Sequence, residues 1–301
     1  KYEHLLANSR VETYLYNKAW ATYSKYQNVT NTTMLLHSIL SKEYDQNNPN
    51  LYSTSQEEVL YQGNHIFPTS RKFIGPDGSE RETRFKYIPD ICIGPEPAPA
   101  SLSESAEALW GMKGKNFIYM PIEQLILYKP VGASSSITGG SLATFKKGSH
   151  FPSSNLTDSY LLDQVYKLDS SVPVASILPT EYHEGDFNFD ESKFKLAVEL
   201  LDYDDFGNLL KKSDRGGIIY EYEWAPEYNR SFLTSIKQTA ANGLDQITIY
   251  KYDPFIGATE IIDPNGLTTF YTYDKFGRLF KTKDNDSNVL SQNEYYYSNQ
   301  N

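Results

Sequence analysis

The chain has 301 residues, enough to bury a sizeable core in one or two domains. Its 28 basic and 38 acidic side chains leave a formal charge of −10, which argues against a nucleic-acid partner, since phosphate binding needs clustered Lys and Arg. No apolar run approaches the roughly 18 residues of a membrane-spanning helix, and the single cysteine, Cys92, cannot close an internal disulfide.

Residues 1–93 read as degenerate β-hairpins. Val11–Tyr16, Leu35–Tyr44 and Glu57–Tyr61 alternate or cluster apolar and aromatic residues, and Asp45–Asn50 is a polar turn stretch. Thr69–Ile74, the turn Gly75-Pro76-Asp77-Gly78 and Arg81–Tyr87 repeat a strand, turn, strand scheme. Cys92, between Ile91 and Ile93, reads as a small core residue.

Residues 94–190 open with a Pro-rich break over 94–100 that no central strand tolerates. One short helix is expected near 102–111, with Ser101 as N-cap and Glu104 completing a capping box. Leu102, Ala106, Leu109 and Trp110 share its apolar face. So short a helix needs a surface to lie on. Strands are expected at Asn116–Met120 and Glu123–Tyr128, and Gly132–Gly140 is a small-residue hairpin tip or mobile loop.

Residues 191–301 carry a repeat in which Tyr-Asp opens each unit and Tyr-x-Tyr closes it. The openers are Tyr203-Asp204, Tyr252-Asp253 and Tyr273-Asp274, and an Asp follows eleven residues after each opening Tyr, at Asp214, Asp263 and Asp284. Fourteen residues after the Tyr stand Gly217, Gly266 and, in the last copy, Ser287. A first glycine (Gly207, Gly257, Gly277) marks the other turn of each unit. Ala258–Ile262 and Leu267–Tyr273 flank Asp263-Pro264-Asn265-Gly266, and their Thr, Tyr, Phe and Ile suit a pleated, half-buried surface, so the unit reads as a β-hairpin. Residues 225–251 interrupt the motif. Internal periodicity of this kind means one supersecondary unit copied and stacked.

The pattern YDxxGRLxxxxDxxGxxTxYxY resembles the RHS or YD repeat family, most closely over Asp263–Leu279, with Asn208 standing where the family has Arg and Arg278 keeping it. The resemblance implies an all-β fold of long antiparallel hairpins winding into a curved sheet or a sector of a hollow shell. Met120–Gln124, Ser141–Lys146 and Tyr160–Asp169 are similar to the segment preceding such repeats in large RHS proteins of Bacteroidota. That similarity implies a secreted or cell-surface protein exported by the type IX system, with the secretion machinery as a partner. The chain opens on Lys1, and Tyr295-Tyr296-Tyr297 ends where a further unit would start, so a segment of a longer polypeptide with further repeats is expected.

The residues show no catalytic constellation. His4, His37, His65, His150 and His183 are scattered without zinc spacing. Glu181–Glu191 is acidic and reads as an exposed loop or a divalent-cation site. Asp284-Asn285-Asp286-Ser287-Asn288 begins like a calcium loop but has Val289 where the sixth-position Gly belongs. Gly139–Lys147 lacks the ending of a phosphate-binding loop. Adjacent Asp204 and Asp205 cannot converge on one substrate from a strand. Lys113, Lys115, Lys146 and Lys147 read as a solvated face. No cofactor or metal is implied, and a structural, non-enzymatic role is expected.

The 25 tyrosines remain. Tyr222 and Tyr271, with the openers, are expected to pack between successive hairpins. The competing reading is a carbohydrate-binding adhesin that stacks surface glycans on exposed Tyr ladders.

Overall fold

In the computed structural model the described residues are 2–4, 34–44, 50–63, 65–95, 97, 99–169 and 173–296. The strand expected at Val11–Tyr16 and the turn at 45–49 lie outside them. The fold is all-β. In chain order the elements are β1 (Tyr2–His4), β2 (Met34–Leu36), β3 (Ser38–Tyr44), β4 (Tyr52–Leu60), β5 (Ser70–Ile74), β6 (Glu80–Tyr87), α1 (Ile88–Ile91), α2 (Glu104–Gly114), β7 (Pro121–Lys129), β8 (Ser136–Lys147) and β9 (Tyr160–Leu168). They continue with β10 (Glu181–His183), β11 (Asp186–Asn188), β12 (Phe194–Tyr203), β13 (Leu209–Asp214), β14 (Ile219–Trp224), β15 (Leu233–Thr239) and β16 (Asp245–Asp253). The last four are β17 (Gly257–Ile262), β18 (Thr268–Tyr273), β19 (Leu279–Lys283) and β20 (Val289–Gln292).

Among the described residues, sixteen of these strands form a single antiparallel sheet running from β3 to β20 in chain order. The one departure is that β9 pairs directly with β12, leaving the β10–β11 hairpin outside the sheet. The motif is interrupted over 225–251, but the sheet is not. β15 and β16 fill that stretch as one more hairpin, in register with β14 and β17.

The packed core sits over the middle of the sheet. Ile88 and Ile91 of α1 and Ala108, Leu109, Trp110 and Met112 of α2 pack with Ile122, Leu142, Phe145, Phe187 and Phe194. The helix does lie on the sheet, but its start differs from expectation. Ser103, not Ser101, is the N-cap, its Oγ accepting the Ala106 N–H at 3.4 Å. Ser101 ends a preceding 3-10 turn, so Glu104 is the first helical residue and not the partner of a capping box. At the other end Asn116 adopts a left-handed φ of 61°, with Phe117 N–H bonding Met112 C=O and Asn116 N–H bonding Lys113 C=O. This is a Schellman stop, and it explains why residues 116–120 are a helix exit and not the expected strand.

Gly111 is where α2 touches the sheet most closely. A Cβ there would stand 1.9 Å from the Tyr160 hydroxyl and 2.1 Å from its Cζ, so the ring lies across the helix backbone. Helix propensity favours Ala over Gly by about 1 kcal/mol, whereas overpacking a rigid ring costs roughly 1–3 kcal/mol. Gly111→Ala is therefore expected to lower the melting temperature despite the gain in propensity. An unchanged or raised melt would show that Tyr160 does not pack there.

Candidate functional site: the repeat turns and the tyrosine face

The repeat turns share one hydrogen-bond pattern. At Asp263, the backbone N–H donates to Leu267 C=O (3.0 Å) and the C=O accepts from Gly266 N–H (2.9 Å). Its Oδ1 accepts the N–H groups of Asn265 and Leu267, both at 2.9 Å. The carboxylate thus supplies acceptors for two donors that the tight turn turns away from the ladder. Asp204, Asp214, Asp274 and Asp284 repeat this arrangement with Oδ1 distances between 2.8 and 3.1 Å. Asp253 keeps the first contact, from Phe255 N–H at 3.0 Å.

The fourth residue of each turn has positive φ: Gly207 81°, Gly217 72°, Gly266 81°, Gly277 74° and Ser287 67°. A turn followed by one left-handed residue is the three-residue hairpin connection with a bulge. The same backbone pattern, without a carboxylate at its start, recurs at Gly75–Ser79 and Ala240–Leu244, with Gly78 and Gly243 at φ 83° and 79°. Gly257 differs: it is the first residue of β17, at φ 139°, and a Cβ there would lie 3.2 Å from the Tyr273 hydroxyl.

The openers stand directly across from the residue six positions on, each just after a register shift. The pairs are Tyr203 with Leu209, Tyr252 with Ala258, and Tyr273 with Leu279. The Tyr273 hydroxyl donates to Ala258 C=O at 2.6 Å and Tyr203 to Leu162 C=O at 2.8 Å. Trp224 holds the same place in the hairpin that the motif does not mark. Its pair with Leu233 follows a register shift, and its Nε1 donates to Leu209 C=O at 2.9 Å, fifteen residues back, as for Tyr273 and Ala258. Sequence comparison by letter missed this unit because an indole replaces the phenol and an eight-residue loop, 225–232, replaces the Tyr-Asp turn.

That loop also supplies a missing cation. In the Asp274 turn, Arg278 Nε and Nη2 donate to Asp274 Oδ2 at 2.8 and 2.6 Å, and the guanidinium sits 5.3 Å from the Phe276 ring and 4.0 Å from Tyr295. In the Asp204 turn Asn208 replaces the arginine, and Arg230 comes from the loop instead. Its Nη1 reaches Asp204 Oδ2 at 3.3 Å and its guanidinium lies 5.8 Å from the Phe206 ring. Asn229 and Arg230 hold left-handed φ values of 51° and 55°, a strain that delivers the side chain to the buried Asp204.

These environments set the charges. Burial would raise the Asp204 carboxyl, but the N–H groups of Asn208 and Phe206, the Asn208 amide and Arg230 together hold it below the usual range. Arg278 holds Asp274 down, and Asn288 does so for Asp284. A carboxyl depressed on folding stabilises above its unfolded pKa, and that contribution is lost as pH falls through the folded value.

Beyond the turns, β13–β20 has two unlike faces. The register places Tyr220, Tyr222, Ile236, Tyr250, Ile261 and Tyr271 on one of them. The other carries an ion-pair ladder, Glu221 with Lys211 (3.0 Å) and Lys237 (3.7 Å), Lys237 with Asp245 (3.0 Å), and Lys251 with Glu260 (2.7 Å), interleaved with Ile247, Ile249, Ile262 and Phe270. Among the described residues from 236 to 296 none is buried, so the sheet from β16 onward has no core of its own.

Several titratable groups elsewhere have structural partners. His65 accepts Phe67 N–H at Nδ1 and meets Asp90 through Nε2 at 3.1 Å, so both ring nitrogens are engaged. Burial pushes the Cys92 thiol up to about 12, and the thiolate is thereby suppressed. Lys146 pairs with Asp163 and Glu104, and Lys147 with Glu107. The Glu181–Glu191 stretch is the β10–β11 hairpin and its exit, where Asp190 accepts Leu178 N–H and the Ser192 hydroxyl. Among the described residues no group of three His, Cys, Asp or Glu side chains is placed to hold a metal, and no helix is long and apolar enough to cross a membrane.

No protein-family model and no curated protein matches the chain. Among solved structures, it is similar to the crystal structure of TcdB2-TccC3-TEV at 13% identity and a TM-score of 0.44, over 86% of this chain and 15% of that one. It is also similar to the crystal structure of TcdB2-TccC3 at 13% identity and a TM-score of 0.36, over 81% of this chain and 12% of that one.

Two outcomes test the turns. Ser287→Gly is expected to stabilise by up to about 1 kcal/mol, since a left-handed non-glycine residue costs roughly 1–2 kcal/mol. Gly266→Val is expected to destabilise by about 2 kcal/mol or more, since a β-branched residue is an outlier at that φ; equal chemical denaturation midpoints for both variants and the parent would contradict the turn geometry. The cation swap is tested by a double-mutant cycle. Arg230→Ala is expected to cost about 1 kcal/mol, the scale of a half-exposed charge-assisted contact, and adding Asn208→Arg should recover most of it. Additive losses would mean that the two arginine positions are not equivalent.

Proposed function

We propose that this chain is a non-enzymatic segment of a shell wall, part of a larger secreted or cell-surface protein of the RHS type, whose tyrosine-bearing face encloses or presents another polypeptide segment. The observation that carries this reading is the two-faced sheet of β13–β20, with its ion-pair ladder on one side and tyrosines on the other. Half-covered tyrosine rings with no core beneath them gain stability when something covers them. The Tyr-Asp and Asp-Gly spacing of the family supports the same reading, as does the sheet order, in which β3 and β20 are the outermost strands among the described residues. Export by the type IX route and contact with its machinery belong to the reading through the Bacteroidota-like segment at 120–169.

Glycan stacking on the tyrosines is the competing reading. It requires rings open to solvent, whereas Tyr220, Tyr222, Tyr250 and Tyr271 are each half-covered by neighbours. Light scattering on residues 1–301 expressed alone decides between an incomplete wall and a self-sufficient module. Self-association, or a melt sharpened by added downstream repeats, is expected. A stable, sharply melting monomer that binds on a glycan array would favour the adhesin.

A further inference from the structure

The opening tyrosines are not covered alike. The Tyr203 ring is 6% exposed and lies 4.8 Å from Phe151, edge to face. Phe151 opens a surface segment whose next residues grip the Asp204 turn. Ser153 donates its N–H and hydroxyl to Asp202, and Asn155 donates its N–H to Asp205 at 2.7 Å. The Tyr252 ring is met at 5.0 Å by Phe232, from the 225–232 loop. In two units of this chain, then, a phenylalanine on a neighbouring loop seats against the opener.

Tyr273 has the same hairpin position and hydrogen bond, but among the described residues no aromatic ring is placed against it. Lys275, exposed, occupies the place that Asp205 holds in the first turn. The polarity of the anchor is therefore reversed: where Asp205 accepts from Asn155, Lys275 can only donate.

We propose that the Tyr273–Gly277 turn is a docking site for a loop that seats a phenylalanine on Tyr273 and a carboxylate on Lys275. The wall-segment reading enters only in the origin of that loop, as part of the adjoining stretch of wall. Edge-to-face aromatic packing supplies the anchor, and the ion pair supplies the selectivity for an acidic loop over a neutral one.

The probe is a cyclic peptide of residues 148–158 carrying Ser153→Asp and Asn155→Asp, with the unsubstituted peptide as its twin. Each is titrated into the full isotope-labelled chain while the backbone amides are followed. The acidic peptide is expected to shift the amides of 273–278, leave those of the already occupied 203–207 turn in place, and bind about threefold to fivefold tighter than its twin, the worth of an exposed ion pair. Lys275→Glu should abolish that preference while leaving the melting temperature unchanged, and added salt should narrow it. Equal affinities, shifts mapping elsewhere, or no shift at millimolar peptide would each overturn the proposal. None of these outcomes depends on whether the chain alone is a monomer, so the docking site and the wall reading fail separately.

Discussion

The repeat half of the fold depends on one contact, an aspartate whose Oδ1 accepts two backbone N–H groups inside a five-residue turn at Asp204, Asp214, Asp263, Asp274 and Asp284. A hairpin turn this tight points donors away from the ladder, where they would otherwise need water or be left unpaired at a cost. The carboxylate removes that cost and, being ionised, makes bonds stronger than neutral ones. The glycine at the fourth position lets the chain leave the turn with the twist that the next strand needs. Each turn fixes the register of two strands, and register decides which face every later side chain occupies. The separation of tyrosines from the ion-pair ladder is thus a consequence of turn geometry.

The two halves solve the burial problem differently. Around β7–β12 the sheet carries α1, α2 and the β10–β11 hairpin, and the buried aliphatic and aromatic residues of the chain gather there. From β13 onward, among the described residues, the 225–232 loop packs on the sheet through Phe232, and no helix or second sheet does. Local hydrogen bonds hold that half together: capped turns, the Trp224 indole and the Tyr273 and Tyr295 hydroxyls each closing onto a carbonyl, and the cross-strand ion pairs. Such contacts are individually worth about 1 kcal/mol or less, so the array gains its rigidity from repetition and neighbour pairing, as in other repeat architectures.

Much of this was legible in the sequence because the turn is written in it. The Asp at +11 and Gly at +14 from each opener mark where Asp263 and Gly266 fold back, and alternation does the rest. What was illegible depends on contacts across space. Trp224 does the work of a tyrosine, but only its carbonyl partner at Leu209 reveals that, and the turn at Ala240 keeps the backbone pattern without the aspartate. Asn116 looked like the start of a strand, whereas its left-handed conformation is the end of α2. The choice between Ser101 and Ser103 as N-cap was beyond pattern reading, since both precede acidic residues and the 3-10 turn over Pro99–Ser101 decides it.

Asn208 is the most instructive departure. By letter it is a defect in the first copy, because the arginine that neutralises the turn aspartate is gone. In space the position is intact: Arg230 approaches the same carboxylate oxygen and the same aromatic ring from the other side, carried on a loop that holds two non-glycine residues in left-handed backbone. Asp204 is fully buried; two backbone N–H groups and the Asn208 amide already bond its carboxylate, and Arg230 adds the opposite charge that favours its ionised form. The Asp204 and Asp274 turns thus share one charge balance although the cation comes from different places in the chain, whereas every aspartate turn from Asp204 to Asp284 shares the Oδ1 contact to a backbone N–H. The same logic makes Lys275 informative: a turn whose tip has changed sign asks for a different neighbour.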